Sequence, residues 1–134
     1  MNNAKQWQHR WFGVWAEYGT AYAQCPSAVL FVVPAINAKY EKAKLRAYLT
    51  SAPVVASTSR RNFPNPFTGE RMAGNVSFRT DGKWLWLDDL ADYVDHHAMT
   101  LPSAWLAEIE ARNYVPPESV ADEVVAKLDW PPTA

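Results

Sequence analysis

The Asp81-Gly82 dipeptide is the feature that most constrains how this 134-residue chain can fold. It separates two segments of alternating apolar and polar character, residues 75–80 and 83–87. Asp-Gly between such segments favours a two-residue type I′ turn, because both turn positions require a positive φ. The sequence therefore predicts an antiparallel hairpin, and a fold that contains a β-sheet.

The two faces of this hairpin are predicted to differ. A two-residue turn places Thr80 opposite Lys83 and Arg79 opposite Trp84, and side chains then alternate between the faces. The apolar face, which belongs to the core, consists of Val76, Phe78, Leu85 and Leu87. The other face consists of Ser77, Arg79, Trp84 and Trp86. This second face is either a surface that carries two tryptophans or a second buried face covered by helices.

The rest of the chain adds one strand and several helices to the hairpin. Residues 54–58 are a β-branched segment typical of a strand. Residues 59–74 contain prolines, glycines and arginines and are predicted to form a loop. Helices are predicted over 6–24, 26–34, 37–51, 88–97, 100–113 and 119–128. We predict a single domain over residues 1–134 of the α+β class, with a small antiparallel sheet of about three strands packed with several short helices.

Three of these helices carry specific expectations. The aromatic residues of the first recur near helical spacing, although Gly13 and Gly19 weaken that helix. The helix over 26–34 is expected to bury Val29, Leu30 and Val33. The helix after the hairpin is expected to begin at an Asp88 N-cap, and the last one at a Ser119 capping box.

A formal net charge of −1 conceals two oppositely charged halves. Residues 1–79 contain ten Lys or Arg and three Asp or Glu, for a net charge of +7. Residues 80–134 contain three Lys or Arg and eleven Asp or Glu, for a net charge of −8. Either the two halves pair internally, or the acidic half meets a basic partner.

Several classes of protein are disfavoured by the sequence. The single cysteine, Cys25, permits no intrachain disulfide and no cysteine-based zinc site. The N-terminus has no signal-peptide pattern, and the apolar segment 28–33 is too short to span a membrane. His96 and His97 point in different directions on a helix, so they cannot bind one metal ion as an i, i+4 pair can. Because no catalytic or nucleotide-binding motif occurs, we expect a cytoplasmic protein that is not an enzyme and uses no cofactor, metal, membrane or small-molecule substrate.

Basic and aromatic residues are interleaved in the 59–74 loop. Such a pattern can bind phosphate groups, and the neighbouring helix adds further cations. This alternative patch consists of Arg60, Arg61 and Arg71 with Phe63 and Phe67, and of Lys39, Lys42, Lys44 and Arg46. It would make the protein a nucleic-acid or phospholigand binding module. Internal pairing with the acidic half is the competing interpretation, and it makes nucleic acid the less favoured partner.

Spaced blocks between residues 25 and 117 carry a resemblance to a known kind of protein. They include TSRRNFPNPFTGE at residues 58–70 and RTDGKWLWLDDL at residues 79–90. The blocks resemble a family of small bacterial proteins similar to the immunity proteins of contact-dependent growth inhibition and other polymorphic toxin systems. The resemblance implies a protein that binds and neutralises a cognate toxin C-terminal domain by one-to-one occlusion. It implies no catalytic residues.

The acidic half supplies the predicted contacts with such a toxin. Many toxin domains are nucleases, which are basic where they grip nucleic acid. Clustered charge speeds association, and aromatic side chains anchor interfaces. The predicted charge partners are Asp88, Asp89, Asp92, Asp95 and Glu108. The predicted anchors are Arg79, Trp84 and Trp86. A solvated helix face is the competing interpretation for the acids, and a core position for the tryptophans.

Overall fold

The computed structural model describes residues 7–34, 40–60 and 62–132. Its centre is a four-stranded mixed sheet in the order β1-β4-β3-β2. The strands are β1 (Trp11–Phe12), β2 (Val54–Ser59), β3 (Asn75–Thr80) and β4 (Leu85–Leu87). The helices are α1 (Lys42–Ser51), α2 (Leu90–His96), α3 (Ser103–Ala111) and α4 (Asp122–Val125). The predicted α+β class is confirmed, and β1 adds a strand parallel to β4.

The predicted hairpin is present, but its turn differs from the prediction. Arg79 lies opposite Trp86 rather than Trp84, so the register is shifted by two residues. A shift of two leaves every side chain on its predicted face, because the side-chain period of a strand is two. The type I′ turn is wrong: Gly82 adopts a φ of +98° while Asp81 does not have a positive φ. The reason is that the Asp81 carboxylate accepts the backbone N–H groups of Lys83 and Trp84, at 3.1 and 2.8 Å, and so organises a longer connection.

Both faces of the hairpin are buried. On the second face, which carries Trp84 and Trp86, the indole of Trp86 lies 5.0 Å from that of Trp105 in α3, and its Nε1 donates to the backbone oxygen of Leu49 in α1 at 3.0 Å. On the apolar face, Phe78 packs against Trp130 near the C-terminus, with ring centroids 5.1 Å apart. All three residues of β4 are therefore in the core.

The N-terminal aromatic segment forms a strand and turns instead of the predicted helix. Trp11 and Phe12 pair with β4, and short 3-10 turns follow at Ala16–Tyr18 and Thr20–Tyr22. Gly13 and Gly19 have φ values of +84° and +136°, which interrupt a right-handed helix. The aromatic side chains of this segment still enter the core, but from a strand and two turns.

The second predicted helix is a 3-10 turn at Ala28–Phe31. With three residues per turn, Ala28 and Phe31 lie on the same side and are buried. The expected burial of Val29 and Leu30 is wrong, since they are 56% and 55% exposed.

Helix boundaries differ from the predictions in the other four helices, and α3 is Ser103–Ala111 where 100–113 was predicted. The predicted start at Asn37 lies outside the described residues, and α1 is present from Lys42. The predicted Asp88 N-cap is wrong, because α2 begins at Leu90 and the preceding Asp89 makes no capping hydrogen bond. The predicted Ser119 capping box is also wrong: Ala121 is extended, so α4 begins at Asp122.

Candidate partner-binding surface

Trp84 and Trp86 belong to the core and not to the surface. Their exposed fractions are 1% and 0%, so the prediction that they anchor a partner is corrected. Trp84 stacks on Trp105 at 5.3 Å, and its Nε1 donates to Oε2 of Glu108 at 2.7 Å. On the same indole, the guanidinium of Arg10 lies 5.1 Å from the ring centroid, in a cation–π contact.

Asp81 connects the hairpin turn to two helices, a role that the turn motif did not suggest. Its Oδ2 accepts the hydroxyl of Tyr48 in α1 at 2.7 Å and the Nε1–H of Trp105 in α3 at 3.0 Å. Its Oδ1 accepts the two backbone N–H groups of the turn. The residue is 3% exposed, and its four hydrogen bonds fix the position of the turn relative to α1 and α3.

Two of the acidic residues predicted to contact a partner form ion pairs with arginines of residues 1–79. Asp89 forms a bidentate pair with Arg60, at 2.7 and 3.0 Å, and its side chain is only 9% exposed. Asp88 lies 3.7 Å from Nε of Arg79. Burial raises the pKa of Asp88, and a hydrogen bond from the backbone of Ser77 works against that rise. Arg79, predicted as an anchor, also donates to the backbone oxygen of Ala52 at 2.7 Å.

Two further acids share a single arginine. Nη1 of Arg46 lies 2.9 Å from Asp92 and 3.7 Å from Asp95. The side chains of Asp92 and Asp95 are 55% and 38% exposed, so both remain accessible to solvent. With the pairs at Asp88 and Asp89, every predicted acidic contact near α2 has a cation from the first half of the chain beside it. Internal pairing is therefore what the structure shows at these positions.

The alternative basic patch is not an open cationic surface in the described part of the chain. Arg60 and Arg46 are paired with acids, and Arg71 donates to the backbone oxygen of Asn62 at 3.2 Å. Lys42 and Lys44 lie exposed on α1, and Lys44 pairs with Glu41. Lys39 and Arg61 lie outside the described residues.

The aromatic residues of the loop are also engaged. Phe63 stacks on Tyr18 with centroids 4.1 Å apart, and Phe67 stacks on His97 at 3.9 Å. They anchor the loop to the domain, so they are not arranged as a stacking platform for bases.

A cavity of about 500 Å³ lies between the hairpin turn, α3 and the α4 region. Its lining combines cations and acids, and includes Arg10, Lys83, Glu108, Glu123, Val124 and Lys127. The predicted contact Glu108 stands at this cavity, where Oε1 accepts Lys83 Nζ at 3.1 Å. The cavity thus brings the end of α3 and the α4 region to one place on the molecule.

The acids that remain unpaired lie further along the chain than predicted. We call residues 108–130 the acidic C-terminal segment; it contains six Asp or Glu and two Lys or Arg. Four of these acids are exposed and have no ion-pair partner among the described residues: Glu110, Glu118, Asp122 and Glu123. Exposed apolar side chains are interspersed with them: Val115 at 63%, Val124 at 37% and Trp130 at 41%. Sequence reasoning missed Trp130, whose position beside Asp129 and two prolines gave little sign that it would be exposed.

The described residues contain no group of three or more His, Cys, Asp or Glu arranged to hold a metal ion. Nor is any of their helices long and apolar enough to cross a membrane. Comparison with known proteins finds no matching family model, curated protein or solved structure.

Proposed function

We propose that this protein is an immunity protein, which acts in the cytoplasm by binding a cognate bacterial toxin domain and blocking it by one-to-one occlusion. The resemblance of the blocks at residues 58–70 and 79–90 suggests this class. The toxin domain is proposed to be a nuclease, and therefore to be basic where it contacts nucleic acid.

The distribution of unpaired charge is the observation that carries the proposal. The cations of the first half lie beside the acids around α2. The acidic excess that is left is concentrated in the acidic C-terminal segment, where four exposed carboxylates have no described ion-pair partner. A surface of this kind is complementary to a basic domain and would speed its association.

The same segment supplies apolar area for a partner. Trp130 is 41% exposed, and interfaces draw much of their affinity from a few aromatic side chains. We therefore replace Trp84 and Trp86 with Trp130 as the proposed aromatic anchor. Val115 and Val124 are further exposed apolar side chains of this segment.

The predicted contacts with exposed carboxylates are kept in this proposal. Glu108 stands at the cavity, and Asp92 and Asp95 are accessible enough to exchange Arg46 for a cation of the toxin. Asp88 and Asp89 are engaged by Arg79 and Arg60, so they are proposed to support the surface rather than to touch the toxin.

The test starts from the reading frames that flank the one encoding this chain: the C-terminal domain of a large secreted protein found there is titrated calorimetrically with this protein. The test variant is Asp122→Asn/Glu123→Gln, and the control is Glu41→Gln/Glu70→Gln, which removes the same charge from another part of the protein. We expect a stoichiometry of one, a Kd about ten-fold weaker for the test variant through slower association, and little change for the control.

Two results would count against the proposal. One is the absence of any binding to that domain by the folded protein. The other is binding to generic RNA at low salt that weakens steeply as salt rises, which would favour the basic-patch function instead. Equal weakening in both double variants would show that overall charge, and not this segment, directs binding.

A further inference from the structure

We propose that the cavity between the hairpin turn, α3 and the α4 region binds a small monocarboxylate with an apolar body, held by Arg10 and Lys127. Both cations line the cavity, and its volume of about 500 Å³ suits a small organic ligand. The ligand would be bound and released unchanged. Its binding does not depend on the proposed toxin.

Arg10 is fixed at the cavity by the contacts it makes within the protein. Its backbone N–H donates to Oδ2 of Asp129 at 3.0 Å, and its carbonyl accepts the N–H of Leu85 at 2.9 Å. Its guanidinium lies 5.1 Å from the ring centroid of Trp84, a side chain that is 1% exposed and therefore a firm support. A cation positioned in this way loses little conformational freedom when it binds an anion.

The charged groups of Arg10 and Lys127 have no carboxylate partner in the described part of the chain. Among the described residues, the Arg10 guanidinium makes one hydrogen bond, to the backbone oxygen of His9 at 3.4 Å, so most of its N–H donors remain available. Lys127 forms no ion pair with Glu123, although the two are four residues apart. These two cations at one cavity are the observation that carries the proposal.

The acids that line the cavity limit the charge of the ligand. Glu108 is paired with Lys83, whose Nζ lies 3.1 Å from Oε1, and Asp129 accepts the backbone N–H of Arg10. Glu123 lines the same cavity and has no ion-pair partner among the described residues. Carboxylates so close by would repel a second negative charge on the ligand. A planar group with a single negative charge, a carboxylate, therefore fits the arginine better than a phosphate dianion does.

The α4 region supplies an apolar side to the cavity. Val124 and Leu128 belong to the lining, and Val124 is 37% exposed. Small-molecule sites commonly combine such apolar side chains with a few polar groups that orient the ligand. An apolar body that covers Val124 and Leu128 would add burial energy to the contacts of the carboxylate.

The experiment titrates the ¹⁵N-labelled full-length protein with sodium phenylacetate at pH 7.5 and constant ionic strength, and follows the amide NMR signals. We expect saturable shifts at residues that line the cavity, with a Kd of about 1 mM or tighter. Phenylacetamide has the same ring without the charge and should cause no saturable shift. Phenyl phosphate, which is mainly a dianion at this pH, should bind more weakly than phenylacetate.

Substitutions at the cavity separate a binding role from a structural one. Arg10→Gln and Lys127→Gln should each weaken phenylacetate binding by about ten-fold, because each removes a charge that contacts the carboxylate. Lys127 is exposed, so its variant keeps the test decisive if Arg10→Gln disturbs the fold. Arg71→Gln removes a cation from the 59–74 loop and should bind like the wild type. Glu123→Gln should tighten binding by about two-fold, which a damaged fold would not do.

The absence of saturable shifts at the cavity of the wild type, up to about 20 mM phenylacetate, would overturn the proposal. So would equal binding of phenylacetamide, tighter binding of phenyl phosphate, or an unchanged Kd in both cation variants. Failure here is distinguishable from failure of the immunity function. Loss of the Glu123 charge should tighten phenylacetate binding but weaken toxin binding.

Discussion

At the scale of single residues, Asp81 determines how the hairpin meets the helices. A short acidic side chain beside glycine is a common turn former, and here the same carboxylate also holds Tyr48 and Trp105. A buried carboxylate is tolerated when donors surround it, and Asp81 has four. Asp81 therefore makes local hydrogen bonds within the turn and tertiary hydrogen bonds to α1 and α3.

Replacing Asp81 with asparagine should lower the free energy of unfolding by about 2–3 kcal/mol. The new amide nitrogen would meet donors such as the Trp105 Nε1–H, leaving buried polar groups unsatisfied. Urea denaturation followed by tryptophan fluorescence measures this loss. Asp95→Asn is the control. Because Asp95 is more exposed, this substitution should lower the free energy of unfolding by less than about 1 kcal/mol. Equal losses in the two variants would show that the buried hydrogen bonds of Asp81 stabilise the fold no more than the exposed contacts of Asp95.

His97 should make stability depend on pH. Burial, and then the charge of His96, lower the pKa of His97 from its ordinary value of 6.5. The unfolded chain therefore binds a proton more readily than the folded one, and stability falls as pH drops through 6.5. We expect the unfolding free energy to decrease between about pH 7.5 and 5.5.

His97→Phe provides the comparison for this pH dependence. It keeps a ring against Phe67 but removes the titrating group, so its stability should depend less on pH than that of the wild type over the same range. An identical slope in both proteins would assign the effect to another residue. The raised pKa of Asp88 has the opposite sign, with stability lost as pH rises above its ordinary 3.8, so it does not produce this slope.

At the scale of elements, Arg60 joins the two ends of the 59–74 loop, in addition to the aromatic anchors Phe63 and Phe67. Arg60 binds Asp89 beside α2, and it also donates to the backbone oxygens of Ala73 and Asn75, at 3.0 and 2.7 Å. The residue at one end of the loop thus holds the other end and the helix beside it. The arginines that suggested a phosphate-binding patch are explained in part by this structural role.

Arg60→Ala should cost about 3 kcal/mol of unfolding free energy, because it leaves the Asp89 carboxylate buried without its partner. It should also increase hydrogen exchange across the loop. Arg71→Ala in the same loop is the control and should change stability by less than about 0.5 kcal/mol, since Arg71 is exposed. If both variants behave alike, the loop is held by its aromatic contacts instead.

Sequence patterns predicted elements whose signals are local. The alternation around Asp81-Gly82 predicted β3, β4 and the correct faces, because a strand's period is visible over a few residues. The turn type was predicted wrongly, because the Asp81 carboxylate accepts the backbone N–H groups of Lys83 and Trp84 and so organises a longer connection. The same carboxylate also binds Tyr48 and Trp105, which are far away in the chain and which no local pattern indicates. Strand β1 was missed because two residues are too few to show an alternating pattern. Its partner strand is also distant in the chain, since Trp11 lies opposite Leu85.

At the scale of the whole molecule, the two charged halves neutralise each other at specific places. The sequence predicted the candidate site only in part: it located excess acid after residue 80, but not which acids have partners. Asp89 and Arg60 are 29 positions apart, and no local pattern links them. The exposed carboxylates without an ion-pair partner among the described residues lie in the acidic C-terminal segment, and the proposed function depends on them.

The most direct measurement of the proposed function is a neutralisation titration, in which this protein is added to the toxin domain identified in a flanking reading frame and nuclease activity is followed. Nuclease activity should fall linearly as this protein is added and reach zero at one equivalent. The Asp122→Asn/Glu123→Gln variant should require an excess once the toxin concentration is below its weakened Kd, while Glu41→Gln/Glu70→Gln should not. Full toxin activity in the presence of an excess of folded protein would contradict the proposed immunity function.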